Sequence, residues 1–314
     1  MADNPPGRIV PRVTYKKGSH RGQVGRNAAA PRPSFGVIIT NRDRTLPLEA
    51  CLRSLAFQDT PPAWVVLSDL GSQQPHRAVL TALAERFGVS YLRIDHDGAW
   101  NKSLAFNTAF RQALSSLPAV SHVIQLDADM ILHPSLLSKA TAELRIASAF
   151  WCAPRTGPSD LDTWTTPGDP AGYERMLAQC GAVLSWAVGV FMVLPCDWLA
   201  RQCGFDETFT GWGHEDTELL WRVRHSLACS ADISGTLLIH QWHRRQPGTD
   251  LRGANWPRLV HRMANPDAVA NPSGWGNGPI AECVLRSGPI RALLPASGSP
   301  PPAGRPDGKP DERR

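Results

Sequence analysis

No run in this 314-residue chain is both long and apolar enough to cross a bilayer. The longest uncharged apolar stretch, Gly181 to Cys196, falls short of the roughly 20 residues a membrane helix needs and carries Pro195 near its end. The basic N-terminus has no apolar segment behind it, so neither a secretory leader nor a membrane span is expected. Cysteine is sparse and unpatterned. Cys51, Cys152, Cys180, Cys196, Cys203, Cys229 and Cys283 form no Cys-x-x-Cys pair. An odd number argues against a disulfide framework and for a reducing compartment, so a cytoplasmic location is expected. Tyrosine is scarce, 3 residues, whereas tryptophan reaches 11. Tryptophan offers a broad flat face and one N–H donor, which suits sugar and base stacking as well as core packing.

Charged residues make up 19% of the chain and hydrophobic ones 42%, a balance that fits a globular protein with a sizeable core. The net charge of +5 is concentrated. Residues 1–33 carry seven Arg and Lys against one acid, Asp3, so the remainder is close to neutral. This Pro- and Gly-containing segment reads as a disordered basic tail. Peripheral contact with an anionic membrane surface is the partner it suggests, and no nucleic-acid partner is expected. Residues 287–314, rich in Pro, Gly and charge, read as a second disordered tail.

Between the tails the pattern predicts one α/β domain over residues 34–286 with a mixed central sheet. Short β-branched runs at Ser34–Thr40, Ala63–Ser68, Val89–Ile94 and Val120–Leu126 predict strands. Segments 46–57, 77–87 and 101–114 place apolar residues at helical spacing. The alternation predicts βαβ units and a parallel, doubly wound sheet over residues 34–132. Residues 133–286 change rhythm. A strand with a preceding turn is expected within Ala182–Leu194, a helix over Thr217–His225 and a strand over Gly235–His240. Arg244–Gly278, dense in Gly, Pro, Asn and Trp, reads as a loop and a lid carrying Arg244, Arg245 and Trp256.

Asp127-Ala128-Asp129 follows the fourth strand, where ligands collect in open α/β sheets. Residues two apart in an extended segment point to one side, so both carboxylates can face one hard cation such as Mn²⁺ or Mg²⁺. Such an ion usually also holds substrate phosphates and neutralises charge on a departing diphosphate. A third ligand is expected from His240 or His243, and a nitrogen ligand favours Mn²⁺. The second constellation is Phe205-Asp-Glu-Thr-Phe-Thr-Gly211-Trp212-Gly213-His214-Glu215-Asp216. Two glycines bracket a ring able to stack on a sugar. Glu215 and Asp216 then open a helix, whose dipole favours ionised carboxylates able to take a proton from a hydroxyl.

These segments together resemble the GT-A glycosyltransferases. Ile39-Thr40-Asn41-Arg42 resembles the first-strand exit of family 2 enzymes, which holds base and ribose. Asp69-Leu-Gly-Ser72 is similar to their DDGS turn, with Leu70 in place of the second Asp. Asn101-Lys102 and Ala105-Phe-Asn107 resemble their N-x-G-x-x-x-A-R-N segment without its Gly and Arg. The stretch from Phe205 to Asp216 resembles the FDExFxGWGxED hallmark of β-1,4-galactosyltransferases and of related chondroitin polymerase and polypeptide GalNAc-transferase domains. The resemblance implies an inverting, metal-dependent transferase using a nucleotide-sugar, by family habit a UDP-sugar, and a saccharide, peptide or small-molecule hydroxyl acceptor. It implies donor contacts at Thr40, Asn41, Arg42, Asp69, Asn101, Lys102, Asn107, Asp127 and Ala128. Metal ligands are implied at Asp129, Asp127, His243 and His240, with His243 favoured of the two histidines. Acceptor contacts are implied at Trp212, Gly213 and Glu215, and Asp216 is the favoured base beside Glu215.

Two other classes fit the residues less well. A nucleotidyltransferase on a similar sheet usually carries a Gly-rich basic loop after its first strand, and Thr40-Asn-Arg-Asp-Arg44 has no Gly. A non-catalytic carbohydrate-binding protein is countered by the presence of Asp127, Asp129, Glu215 and Asp216 together.

Overall fold

The structure, a computed structural model, describes residues 32–157, 170–243, 250–265 and 267–291. The first 31 residues, residues 292–314, and Arg244 and Arg245 of the expected lid lie outside them. The first half runs β1 (Phe35–Asn41), α1 (Leu46–Ala56), β2 (Trp64–Leu70), α2 (His76–Phe87), β3 (Ser90–Ile94), α3 (Lys102–Ser116), β4 (His122–Asp127) and β5 (Met130–Leu132). Then follow α4 (Leu136–Glu143), β6 (Ala149–Cys152), β7 (Arg155–Thr156), α5 (Pro170–Leu177), a 3-10 turn (Val188–Val190), β8 (Phe191–Pro195) and α6 (Cys196–Arg201). The last elements are α7 (Glu215–Ser226), β9 (Cys229–Asp232), β10 (Leu238–His240), α8 (Arg252–Ala264) and β11 (Ile280–Val284).

Eight strands form one mixed sheet in the order β11-β3-β2-β1-β4-β8-β6-β9. β3, β2, β1 and β4 are parallel, whereas β8 runs antiparallel to both β4 and β6. Every residue of β1 is buried, because apolar cores cover both faces of the sheet. On one face Val37 and Ile39 join Leu48 and Leu52 of α1 and Leu80 and Leu83 of α2. On the other, Ile38 and Val66 join Phe106 of α3 and Leu219 of α7. From β1 the chain builds outward through β2 and β3, then crosses back to place β4 on β1's other side. The switch point therefore lies between β1 and β4, with Thr40 directly opposite Asp127.

Several expectations shift. Asp69 and Leu70 complete β2, so the turn begins at Gly71, whose φ is 72°. The expected turn precedes β8, over residues 184–190, and the strand itself starts only at Phe191. The expected lid contains α8, which Pro257, Gly253 and Asn255 disguise: proline and glycine are poor helix formers, and the buried face is Asn255 with Leu259. Residues 287–291 pack on the body rather than opening a tail. Ile290 is buried and the Arg291 amide donates to the Phe87 carbonyl at 2.9 Å. No helix among the described residues is long and apolar enough to cross a membrane. The seven cysteines are free thiols.

A buried ion cluster locks α7 to α8 and to the segment before it. Arg222 donates twice to Glu218, at 2.8 and 2.9 Å, and once to the Gly204 carbonyl at 3.0 Å. Arg262 of α8 reaches Glu218 at 3.0 Å and Asp206 at 3.4 Å. Glu218→Gln would leave the buried Arg222 without its carboxylate and should cost about 3–5 kcal/mol in urea unfolding. A cost under about 1 kcal/mol would show that the cluster does not act as a lock.

Candidate active site

A cavity of about 810 Å³ opens at the carboxyl ends of β1 and β4, within the size range of small-molecule sites. At one end β4 delivers Asp127 and, one residue past a buried Ala128, Asp129. β5 continues the chain and pairs antiparallel with β10, setting His240 opposite Met130. The Gln241 amide then donates to the Asp129 carbonyl at 2.9 Å. This register brings both histidines to one carboxylate: His243 Nε2 lies 3.2 Å and His240 Nε2 3.8 Å from Asp129 Oδ2.

Asp129, His240 and His243 offer ligand atoms all within 4.8 Å of one another. Asp129 is 3% exposed, and its Oδ1 has no hydrogen-bond partner among the described residues. Arg44 donates to its Oδ2, and that guanidinium also lies 3.1 Å from His243 Nε2. An orphaned carboxylate oxygen, two imidazoles and a cation already drawn to them fit a divalent ion. Burial opposes ionisation of Asp129, but hydrogen bonding with His243 and the charges of His240 and Arg44 outweigh it, so its carboxyl sits well below the usual range. Asp127 does not join this cluster. Its Oδ1 accepts from Lys102 at 2.6 Å and from Gln125 at 2.8 Å. Burial is the main cause of its raised pKa.

Lys102 breaks two local rules. It is 5% exposed, and it opens α3, where the helix dipole repels a cation. Burial works against its charge, but Asp127, Glu215 and Asp216 outweigh that and raise its pKa. Its Nζ also donates to the Gly189 carbonyl at 2.8 Å. Gly189 in turn backs directly onto Asp216: a Cβ there would stand 2.2 Å from Asp216 Cβ. Asp127, Lys102, Gly189 and Asp216 thus form one continuous set of contacts along the cavity.

At that end the loop from Gly211 to His214 takes positive φ at Gly211, Gly213 and His214. The Gly213 amide donates to Glu215 Oε2 at 3.1 Å, and Asp216 Oδ1 accepts from the Thr217 amide at 2.6 Å. Asn255 of α8 fastens the loop through the Thr210 and Gly213 carbonyls at 3.0 and 2.8 Å. The Arg252 guanidinium lies 4.9 Å from the Trp212 ring centroid. Trp100, Trp186, Trp212 and Trp242 all line the cavity.

The sequence model described as glycosyl transferase family 2 matches residues 36–202, more than half of the chain. The chain belongs to glycosyl transferase family 2. A second model, described as the N-terminal domain of galactosyltransferase, matches residues 184–233 of this family 2 chain. Two curated validoxylamine A glucosyltransferases, from Streptomyces hygroscopicus subsp. limoneus and subsp. jinggangensis (strain 5008), are each 26% identical to it over 222 residues. Those alignments cover 61% of this chain but 48% and 51% of theirs, so it spans about half the length of the curated relatives it matches. Among solved structures, S. aureus TarS 1–349 in complex with UDP-GlcNAc has a TM-score of 0.55 at 14% identity, covering 74% of this chain and 66% of that one. The UDP complex of TarS 1–349 gives 0.53, with 74% and 65% covered. That likeness speaks to the fold, which is GT-A.

In this family 2 chain Thr40, Asn41, Arg42, Lys102, Asp127 and Ala128 line the cavity, as do Trp212, Glu215 and Asp216. Asp69, Asn101, Asn107 and Gly213 are not in that lining. Asp69 accepts from the Ser72 amide at 2.9 Å and the Tyr91 hydroxyl at 2.7 Å. Asn101 caps α3 and donates to the Glu207 carbonyl, while Asn107 clamps the Phe205 backbone. Trp256 lies outside the lining too, against the His214 ring. Sequence reasoning missed Arg44, Gly189, Asn255, Trp186 and Trp242. Only Gly189 left a trace, as an isolated glycine in an apolar run, a sign of close approach.

Glu215 is 5% exposed, and burial together with Asp216 pushes its pKa from 4.5 up to about 7. Between those values the folded form holds a proton that the unfolded form has released, so stability falls as pH rises through that window. Metal-free protein should lose on the order of 2 kcal/mol between pH 5 and pH 8 through this group. Glu215→Gln should flatten that slope in urea titrations. An unchanged slope would rule out Glu215 as its source.

Proposed function

We propose that this chain transfers a hexose or N-acetylhexosamine from a UDP-sugar to a hydroxyl group, with inversion and with a divalent ion, Mn²⁺ ahead of Mg²⁺. The observation that carries the reading is the set of contacts from Asp127 through Lys102 and Gly189 to Asp216, which joins the strand end beside the Asp129–His240–His243 cluster to the carboxylates that open α7. Asp129, His240 and His243 would hold the ion, and a nitrogen-rich donor set favours Mn²⁺. When bound, the ion supplies Lewis-acid stabilisation of the departing diphosphate.

The chain's own residues do the rest. Thr40 and Asn41 form a wall for the nucleoside at the end of β1. Lys102 keeps a fixed positive charge behind Asp127. Asp216 accepts the proton of the acceptor hydroxyl as that oxygen attacks the anomeric carbon. The Trp212 ring, held between Gly211 and Gly213, gives the acceptor a flat apolar face, and Glu215 binds one of its hydroxyls. Solved relatives with UDP-GlcNAc and with UDP, and curated relatives named as glucosyltransferases, make UDP-glucose and UDP-GlcNAc the first donors to test.

The test is cleavage of UDP-glucose, UDP-GlcNAc and UDP-galactose with a panel of saccharide and peptide acceptors, with Mn²⁺ or with EDTA. Product anomers are read by proton NMR. A β-linked product formed only with metal is expected. Retained configuration would refute the inverting mechanism, and full activity in EDTA would refute the metal.

A further inference from the structure

Arg44 sits three residues past β1, and its backbone is fixed there. Its amide donates to Asn41 Oδ1 at 3.1 Å and its carbonyl accepts from Asn41 Nδ2 at 2.8 Å. From that anchor the guanidinium crosses to Asp129 Oδ2 and approaches His243 Nε2 at 3.1 Å. A guanidinium carries donors only, so it meets His243 Nε2 favourably in the tautomer that leaves the lone pair on that nitrogen. That is the lone pair a metal ion would take. Asp129 Oδ2 and His243 Nε2, 3.2 Å apart, turn electron-rich atoms toward one locus, and the Arg44 N–H fills it.

Among the described residues, the neighbouring cations Arg42 and Lys102 are committed elsewhere. Arg42 donates to the Gly98 and His96 carbonyls at 2.7 and 2.9 Å, and Lys102 is buried against Asp127. The Arg44 side chain is 41% exposed, whereas that of Asp129 is 4% exposed. Arg44 also lines the cavity, so its guanidinium can swing toward a bound anion without disturbing the backbone.

We propose that Arg44 is the exchangeable counter-ion of the cation site: it balances Asp129 and His243 when no divalent ion is bound, and moves to the donor diphosphate when the ion takes its place. The inference rests on the metal-binding reading above. Free metal then competes with Arg44 and binds weakly. A diphosphate draws the guanidinium away and raises metal affinity, and by linkage the metal raises diphosphate affinity by the same factor. The chain would thus favour metal and nucleotide arriving together over metal alone.

The experiment titrates Mn²⁺ into the full chain, following free Mn²⁺ by its EPR signal, with and without UDP. Arg44→Gln should bind Mn²⁺ alone about tenfold more tightly, the scale of one partly exposed ion pair. The enhancement by UDP should shrink in the same variant. Arg44→Lys, which keeps the charge, should return Mn²⁺ binding toward the weak wild-type value. Thermal melts check that each variant is folded, and Mn²⁺ should raise the melting temperature of Arg44→Gln more than that of wild type. Mn²⁺ binding lost in His243→Ala but unchanged in Arg44→Gln would overturn the role of Arg44 alone. Binding that ignores both substitutions would overturn the metal site with it.

Discussion

Asp216→Asn should lower the transfer rate by about 10³-fold while leaving UDP-sugar binding within about twofold of wild type, the loss expected when a general base is removed. The asparagine amide matches the carboxylate in shape. It can still accept from the Thr217 amide, which Asp216 Oδ1 does at 2.6 Å, so the first turn of α7 should survive. It cannot take a proton from the acceptor. The donor end of the cavity keeps its contacts, because Asp216 backs onto Gly189, whose carbonyl still accepts from Lys102, and Asp127 still pairs with Lys102. Single-turnover kinetics with calorimetry of UDP-sugar binding separates the two effects. An Asp216→Asn enzyme transferring sugar at more than about a tenth of the wild-type rate would sink the base assignment.

Asp129→Asn should be at least as damaging, with a loss of about 10³-fold or more, as expected when Lewis-acid stabilisation worth several kcal/mol disappears. The substitution preserves volume but replaces one carboxylate oxygen by an N–H₂ donor. If the nitrogen faces Arg44, donor meets donor. If it turns inward, the site still loses the charge that holds Arg44, His240 and His243 together. Mn²⁺ should no longer raise the melting temperature. Asp127→Asn should act differently, because that carboxylate is spent on Lys102 and Gln125. It should leave Mn²⁺ binding measurable and affect mainly the donor affinity. A Mn²⁺-dependent melting shift that persists in Asp129→Asn would remove this residue from the ligand set.

Both predictions use residues legible in the amino-acid sequence, and the reason is local. Asp127 and Asp129 follow an apolar run that can only be a buried strand, and strand ends at the switch point of a doubly wound sheet meet solvent at one edge. Trp212 and Asp216 lie in a string whose glycines dictate the backbone: a Cβ on Gly211 would strike Leu251, and one on Gly213 would strike Arg252. The elements hidden from the sequence are those whose stability comes from contacts rather than propensity. α8 contains Pro257 and Gly253 and buries the polar Asn255, so its composition reads as loop although its residues follow a helical period, and Asn255 holds the site loop by two hydrogen bonds.

Each strand and helix of the α/β alternation, the strand end bearing Asp127-Ala-Asp129 and the loop-to-helix segment bearing Glu215 and Asp216 are legible in the amino-acid order, because each is written in residues close to one another along the chain. What these groups touch follows from contacts between distant segments. The β5–β10 register, joining residues more than a hundred positions apart, brings both histidines to Asp129 and leaves Asp127 to Lys102. Burial makes Lys102 and Glu215 depend on carboxylates and cations from other elements, and it ties Asp69, Asn101 and Asn107 to backbone groups of the protein. Backbone preference acts over a few residues, whereas strand pairing and the desolvation of charge act across the folded sheet, and no local pattern encodes their partners.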